Sequence, residues 1–273
     1  VRSCGGSLEF GSEVRRIRVE HGRVHSLELT DGRSEGFDVV IANTEPWAVA
    51  AGYLGEDVRS ACGAPTSPNP SLSAVTWTCR ARIEGWPLAR HNVFFSDDYP
   101  AEFNSLQTGR YPADPTIYLC AQDRPTPEDA PASASERVFM LMNAPARAAP
   151  APAPAALEGV AMRRLARAGI TLTPEPETLV RTTPADFAAR FPGSGGALYG
   201  MATHGWRAAF ARRGARTSVR GFYLAGGGVH PGAGVPMAAL SGRYAASQAL
   251  FDLGQSSSVS ATSPRIRQAV TAP

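Results

Sequence analysis

Lysine is absent from the sequence, so all 27 of its basic residues are arginine. Together with abundant alanine, 27 Gly and 23 Pro, this points to a GC-rich coding sequence rather than to a structural demand. Neither sign of charge is in large excess: set against 24 Asp and Glu, the arginines leave a net charge of +3. That is too mild a surplus for the concentrated basic stripe that phosphate backbones select, so no nucleic-acid partner is expected. The nearest approach to a stripe is Arg207, Arg212, Arg213, Arg216 and Arg220. It reads as a solvated surface, with contact to anionic lipid as the alternative.

Cysteine and histidine are also sparse. Cys4, Cys62, Cys79 and Cys120 include no pair spaced as a CxxC knuckle or redox dithiol, which favours free buried thiols in a reducing compartment. His21, His25, His91, His204 and His230 show no HExxH-type spacing, which removes support for metal catalysis. No GxSxG elbow occurs, because Ser194 has Pro192 where the first glycine should stand. No run approaches the ~20 apolar residues of a membrane-spanning helix, and the first residues lack a charged-then-apolar signal pattern. The expected location is the cytoplasm, free or peripheral to a membrane.

What is present is enough apolar material, 43% of residues, for one sizeable core or two coupled lobes. Residues 13–44 have a β pattern: Ile17 and Val19 alternate with arginines, His21-Gly22 turns, Leu27 and Leu29 alternate, and Asp31-Gly32 turns again. Phe37 to Ala42 is nearly continuous in apolar character, as in a parallel or mixed strand covered on both faces. Asn43-Thr44-Glu45-Pro46 then leads into a short helix over 47–53. Strands over 72–82, 91–96, 116–121 and 137–143, separated by Pro-rich turns, predict an antiparallel sheet. The Pro-broken stretch 144–156 reads as an extended linker. Leu157, Val160, Ala161, Leu165 and Ala168 recur at helical spacing before Gly169. Thr183, Pro184 and Asp186 signal the start of another helix. Beyond residue 253 the composition is too polar to pack and predicts a disordered tail.

The most informative stretch runs from Gly221 to Gly242. A short apolar strand feeds a glycine-rich bend, which opens a helix with Pro236 in its first turn. Gly232 and Gly234 put no side chain between the helix N-terminus and whatever lies in front of it. Free backbone N–H groups and the positive end of the helix dipole then converge there, which favours a phosphate or an electron-rich ring. Ala238, Gly242 and Ala246 recur every four residues and leave one face bare for packing on a sheet or a cofactor. A plain glycine turn before an alanine-rich helix is the alternative. The order within the chain shifts the balance: a dinucleotide fingerprint opens a βαβ unit, whereas this helix leads into the polar tail, so the motif closes a nucleotide domain rather than opening one.

HPGAGVPMAALSGR (230–243) after FYLAGGG resembles the C-terminal signature of the bacterial phytoene-desaturase family, within the wider flavin amine-oxidase fold. EVRRIRVEHGRVHSLELTDG (13–32) and DVVIANTEPWA (38–48) are similar to that family's strand pair and the strand after it. PSLSAVTW (70–77), HNVFFSDDYPAEF (91–103), DPTIYLCAQDR (114–124) and FPGSGGALYGMATHGW (191–206) look most like its 1-hydroxycarotenoid 3,4-desaturase branch. The resemblance covers roughly residues 8–253.

It implies an α/β chain in which an incomplete, Rossmann-like FAD-binding domain is joined to an antiparallel-sheet substrate domain. Residues 1–60 and 214–253 would belong to the FAD domain and 61–213 to the substrate domain. Full members open with a strand–GxGxxG–helix unit. None occurs here, and Gly193-Ser194-Gly195-Gly196 lacks the spacing, so the sequence reads as the C-terminal part of a longer enzyme. In such a piece the sheet holding Val39 to Ala42 is expected to keep an open edge and an uncovered apolar face. By position, Gly226, Gly227, Gly232, Gly234, Val235, Pro236 and Met237 would touch the cofactor, and the backbone of Val14 would face the adenine. His230 is an alternative pocket residue or a turn residue bonded to backbone, and Arg147 and His204 stand in the same balance. The implied activity is FAD-dependent desaturation of an acyclic 1-hydroxy or 1-methoxy carotenoid at C3–C4. A long apolar substrate further implies peripheral contact with a membrane surface. The alternatives are a non-catalytic remnant or another oxidoreductase of the same fold.

Overall fold

The structure is a computed structural model and describes residues 1–63, 70–124, 134–146, 152–202, 212–256 and 267–270. The chain divides into two compact units, Val1–Pro70 with Arg190–Ser194 and Tyr199–Pro273, and Ser71–Ala189 with Gly195–Leu198.

In the first unit, β2 (Val14–Glu20), β3 (Arg23–Leu29) and β4 (Ser34–Gly36) form an antiparallel meander. His21 and Gly22 turn β2 into β3 with positive φ at both, +50° and +72°. Two left-handed central residues match the twist of the flanking strands, which is why a two-residue hairpin selects them. A parallel pair joins distant parts of the sequence, with Val40, Ile41 and Ala42 of β5 (Val40–Ala42) beside Phe222, Tyr223 and Leu224 of β12 (Phe222–Leu224). Ile17, Val24, Val49, Val58, Phe222, Leu224 and Val229 fill the core beneath, with α1 (Pro46–Ala50) and α2 (Glu56–Arg59) supplying Val49 and Val58. Burying each of these side chains stabilises by roughly 1.5–3 kcal/mol.

β12 is buried at all three positions, but Ile41 on β5 is 42% exposed. Both faces of the pair are nevertheless covered: Val40 and Ala42 join Phe222 and Leu224 in one core, and Val39 joins Tyr223, Ala245 and Ala249 in another. Among the described residues β5 pairs with β12 alone, so its other edge is open.

The tail differs from expectation at 254–256 and 267–270; residues 257–266 and 271–273 lie outside the described residues. α6 (Val235–Ser256) continues past Gly254, and β13 (Arg267–Val270) runs parallel to β1 (Ser7–Phe10). Strand pairing is made by main-chain groups, which a judgement from side-chain polarity does not weigh. Cys62, Cys79 and Cys120 are buried thiols as expected, whereas Cys4 lies exposed.

The second unit is built on an antiparallel sheet of β6 (Ser73–Gly85), β7 (His91–Phe94), β8 (Ile117–Ala121), β9 (Glu136–Ala144) and β10 (Ile170–Pro174), ordered β10-β6-β9-β8-β7. β11 (Val180–Thr182) adds to the same edge of β6 as β10, beyond it. Alternation puts Val75, Trp77, Cys79 and Ala81 on one face with Ile117, Leu119 and Ala121 and with Val138, Met140 and Met142. α4 (Pro154–Arg167) covers that face with Leu157, Ala161 and Leu165, one per turn. Gly169 ends it with φ +77°, a conformation that glycine adopts without strain.

The linker over 144–156 is shorter than its composition suggests, since Ala144 belongs to β9 and Pro154 already starts α4. Residues 147–151, with Arg147, lie outside the described residues. α5 (Pro184–Arg190) starts on a reciprocal cap: Thr183 N donates to Asp186 Oδ2 at 2.8 Å, and Asp186 N donates to Thr183 Oγ1 at 3.4 Å. The sequence reading has no counterpart for α3 (Tyr99–Gln107), β10 or β11. α3 nevertheless carries a start signal, because Asp98 accepts from Ala101 N at 3.0 Å and Pro100 sits in its first turn.

One buried ion pair closes the second unit. Arg124 donates from Nε to Glu136 Oε2 at 2.9 Å, with their side chains 10% and 2% exposed, and reaches Leu88 O at 3.5 Å through Nη1. Removing one partner leaves a lone charge in the core, so Glu136→Ala is expected to destabilise by about 3–5 kcal/mol in urea unfolding. Arg124→Met combined with Glu136→Leu should recover most of that loss. Equal losses for single and double variants would show that the pair's charge balance is not what matters.

Candidate cofactor site

The glycine bend is tied at both ends to buried structure. After β12, Ala225 N donates to Ala42 O at 3.0 Å, extending the parallel pairing by one residue. Gly226 N donates to Ser241 Oγ at 2.7 Å, and that hydroxyl donates to Ala238 O at 2.6 Å. Ser241 is fully buried and satisfied as both acceptor and donor, so it locks the bend to the second turn of α6. Val229 N donates to Gly226 O and His230 N to Arg213 O, at 3.2 and 2.8 Å.

The glycines divide by what fills the space that a side chain would take. A Cβ on Gly226 would stand 2.4 Å from Asn43 Oδ1, and one on Gly228 would stand 2.3 Å from Glu45 Oε2. A Cβ on Gly232 would be 3.1 Å from Arg212 Nε. At these three positions bareness admits neighbouring side chains of the same unit. Gly234 differs: with φ +108°, it has nothing within 4 Å of its Cβ direction. Gly227 meets only Ala233, at 3.5 Å.

Arg212 is therefore no solvated member of a surface stripe. It is half-buried, and its guanidinium donates to Gly227 O at 2.8 Å, Tyr199 O at 2.9 Å and Met201 O at 3.4 Å. Burial pushes the Glu45 carboxyl above the ordinary glutamate range, with Arg212 partly offsetting it. Burial likewise lowers Arg212, offset by Glu45. Two further arginines of the supposed stripe are also engaged. Arg216 Nε donates to Asp252 at 3.1 Å, and Arg220 Nη2 donates to His21 O at 2.7 Å. Arg207 lies outside the described residues, as does His204. Asp252 accepts as well from Tyr223 Oη at 2.6 Å; Arg216 and Tyr223 hold it below the usual carboxylate range, while burial pushes Tyr223 up to about 12.

α6 packs through Ser241, Ala245 and Ala249, which are 0%, 0% and 5% exposed and meet Tyr223 and Ala225. The sequence offered Ala238, Gly242 and Ala246 as a face bare for packing on a sheet or a cofactor, and it is not the face that meets the sheet. Those positions lie one residue round the helix; Ala246 is exposed, and Gly242 faces open space. Four alanines and a glycine at neighbouring registers look alike in sequence, and the ridge that turns inward is the one that carries the Ser241 bond. At the N-terminus, Val235 is 85% and Met237 41% exposed, and Pro236 is exposed too. By helix geometry the N–H groups of Val235 and Met237 have no intrahelical partner, and the first turn holds no acidic side chain to compete for them. His230 is exposed and its ring stacks on Tyr244, centroids 6.4 Å apart. Gly226, Gly227, Gly232, Gly234, Val235, Pro236 and Met237 are thus gathered in one bend and helix start. Val14 stands on a different sheet, where its side chain joins the core containing Phe222 and Leu224. Asn43, Glu45 and Ser241 escaped the sequence reading; the first two were visible only as turn residues.

The sequence profile of the flavin containing amine oxidoreductases matches residues 2–250. The chain belongs to that family. It is 42% identical over 258 residues to hydroxyneurosporene desaturase of Rubrivivax gelatinosus, covering 93% of this chain and 49% of that protein. It is 43% identical over 249 residues to hydroxyneurosporene desaturase of Rhodobacter capsulatus, covering 91% and 50%. A 1-hydroxycarotenoid 3,4-desaturase of a Flavobacterium species is 26% identical over 252 residues, covering 90% and 51%. The chain spans about half the length of the curated relatives it matches.

Membership implies FAD as the cofactor, and the residues present fit it: bare backbone at Gly234, free donors in the first turn of α6 and no carboxylate there. Among the described residues no group of three His, Cys, Asp or Glu is arranged to hold a metal ion, and no helix is long and apolar enough to cross a membrane.

Two outcomes test this geometry. Ala245→Leu should destabilise the chain by about 1–3 kcal/mol through overpacking, whereas Ala246→Leu should stay within about 0.5 kcal/mol in the same denaturant titration. Because the folded state raises the proton affinity of Glu45, the stability it contributes is fully present below the ordinary glutamate pKa and is lost as pH rises through the higher folded value. Glu45→Gln should flatten the fall in stability over that window, read from unfolding midpoints across a pH series; an unchanged pH profile would contradict the burial of the carboxylate.

Proposed function

We propose that this chain is the part of an FAD-dependent desaturase that supports the flavin and lines the substrate, acting on an acyclic 1-hydroxy or 1-methoxy carotenoid at C3–C4. The observation that carries the reading is the open first turn of α6, where Gly234, Val235 and Met237 face outward at the positive end of a long helix. The names of the relatives at 42–43% identity supply the substrate class.

In this reading residues 1–60 and 214–253 are a portion of a Rossmann-like FAD domain, supported by the parallel pairing of β5 with β12. The N–H groups of Val235 and Met237 offset negative charge on the cofactor's polar chain or ring. Gly226, Gly227, Gly232, Gly234 and Pro236 keep the backbone close to it, and the backbone of Val14 faces the adenine. The flavin, when bound, supplies the hydride acceptance that no side chain can provide. The protein aligns the carotenoid and excludes water, and the proton passes to solvent or a nearby base.

Residues 61–213 form the substrate domain. The sheet face turned away from α4 presents Val93, Tyr118, Leu141 and Thr76 on one cross-strand rung, with Phe139 beside Tyr118 at a centroid distance of 6.1 Å. Val93 is 49% exposed, and Tyr118, Phe139 and Leu141 are half-buried, which suits a long apolar ligand better than a polar one. Delivery of such a substrate calls for a cytoplasmic enzyme that contacts a membrane surface peripherally, with no nucleic-acid partner.

The test uses the complete open reading frame that contains this sequence. The purified protein should carry FAD and convert a liposome-borne 1-hydroxy acyclic carotenoid to a product with one more conjugated double bond, read by chromatography and absorbance. Oxidation of amines with no action on carotenoids would make it a different oxidoreductase of the family, and absence of bound flavin would make it a non-catalytic remnant.

A further inference from the structure

Arg212 and Glu45 lie within the first unit but outside the residues assigned to the cofactor, and they contact the bend that carries it. Asn43 and Glu45 leave the end of β5 two residues apart and sit over Gly226 and Gly228, themselves two residues apart. Two loops emerging from paired parallel strands therefore interlock, side chain into glycine, on matched spacing. Arg212 closes the assembly from the other side. Its donors reach Gly227 O within the bend and Tyr199 O and Met201 O outside it, while its Nε stands 3.1 Å from the Cβ direction of Gly232. A side chain at Gly232 would press on Arg212 and would need a strained φ of +133°, and the three carbonyls fix the guanidinium plane. A fork of five donors suits such divergent acceptors, and an ammonium group on a flexible stem does not.

We infer that Arg212 is a positioning residue that straps the glycine bend to the 199–201 segment, with Glu45 seated over Gly228 beside it, and so presents Gly234 to Met237 in the conformation that takes the flavin. This rests on the reading of the site as an FAD site. Glu45 Oε2 and Arg212 Nη1 stand 3.3 and 3.4 Å from the Cβ direction of Gly200, so both side chains close on the segment that the guanidinium holds. Gly228 is part of the same device, because a methyl group there would occupy the place of the Glu45 carboxylate.

The experiment measures FAD dissociation constants and visible flavin spectra of the complete protein and of Arg212→Lys, Arg212→Met, Glu45→Gln and Gly228→Ala, alongside thermal melting of the apoproteins. Losing the charge-assisted bonds should weaken FAD binding at least tenfold in Arg212→Met. Arg212→Lys should fail to restore it even where its melting temperature equals that of the parent. Gly228→Ala should shift the flavin absorption bands, and Glu45→Gln should weaken binding less than either arginine variant. If the parent binds FAD and Arg212→Lys binds it equally with an unchanged spectrum, the strap is refuted while the FAD assignment stands. If Arg212→Lys loses FAD only in proportion to lost melting temperature, Arg212 merely holds the fold and the positioning role is likewise refuted. If the parent binds no FAD at all, both readings fall together.

Discussion

The parallel pairing of Val40–Ala42 with Phe222–Leu224 is the contact on which the first unit depends. It brings the exit of one strand, with Asn43 and Glu45, against the exit of another, with Gly226 and Gly228. Parallel strands end on the same side, so their following loops must share space. The glycines are the solution to that crowding as much as to any ligand. Once the two exits are interlocked, Ser241 fixes the direction of α6, and the helix points its open end away from the core.

Two different physical demands are thus met by what looks like a single glycine-rich motif. Gly226, Gly228 and Gly232 serve internal contacts, whereas Gly234 serves an outward one. A motif comparison cannot divide them, since all four are the same residue type in one short run. Their separation comes from side chains that arrive from Asn43, Glu45 and Arg212, two of them far away in sequence.

The regular elements were legible where a single periodicity controls them. β6, β8 and β9 alternate cleanly because one face meets α4, and the residues predicted for them agree to within about three at each end. Leu157, Ala161 and Leu165 were legible for the same reason. β10 and β11 were not, because each is only three to five residues long and their partner is a strand roughly a hundred positions earlier, although Ile170 and Leu172 alternate as a strand would. Within the candidate site, the bend and the first turn of α6 were legible from Gly and Pro placement. The inward ridge was not, because Ala245 and Ala246 differ in burial but not in kind. The role of Arg212 was obscured by its neighbours: among five nearby arginines, nothing local distinguishes one that turns inward.

β6 has both long edges occupied, by β9 on one side and by β10 followed by β11 on the other. These partners are synthesised in that order. During translation at 5–20 residues per second, about 4–17 s separates the completion of β6 from the emergence of β10, and for that interval the longest strand of the chain offers a bare hydrogen-bonding edge. Its sequence there, TWTCRARIE, places Arg80 and Arg82 in the middle of the exposed stretch. Charges on an unpaired edge repel a second copy of the same strand. Arg80 and Arg82 therefore disfavour self-pairing of this edge whenever β10 and β11 are not docked on it.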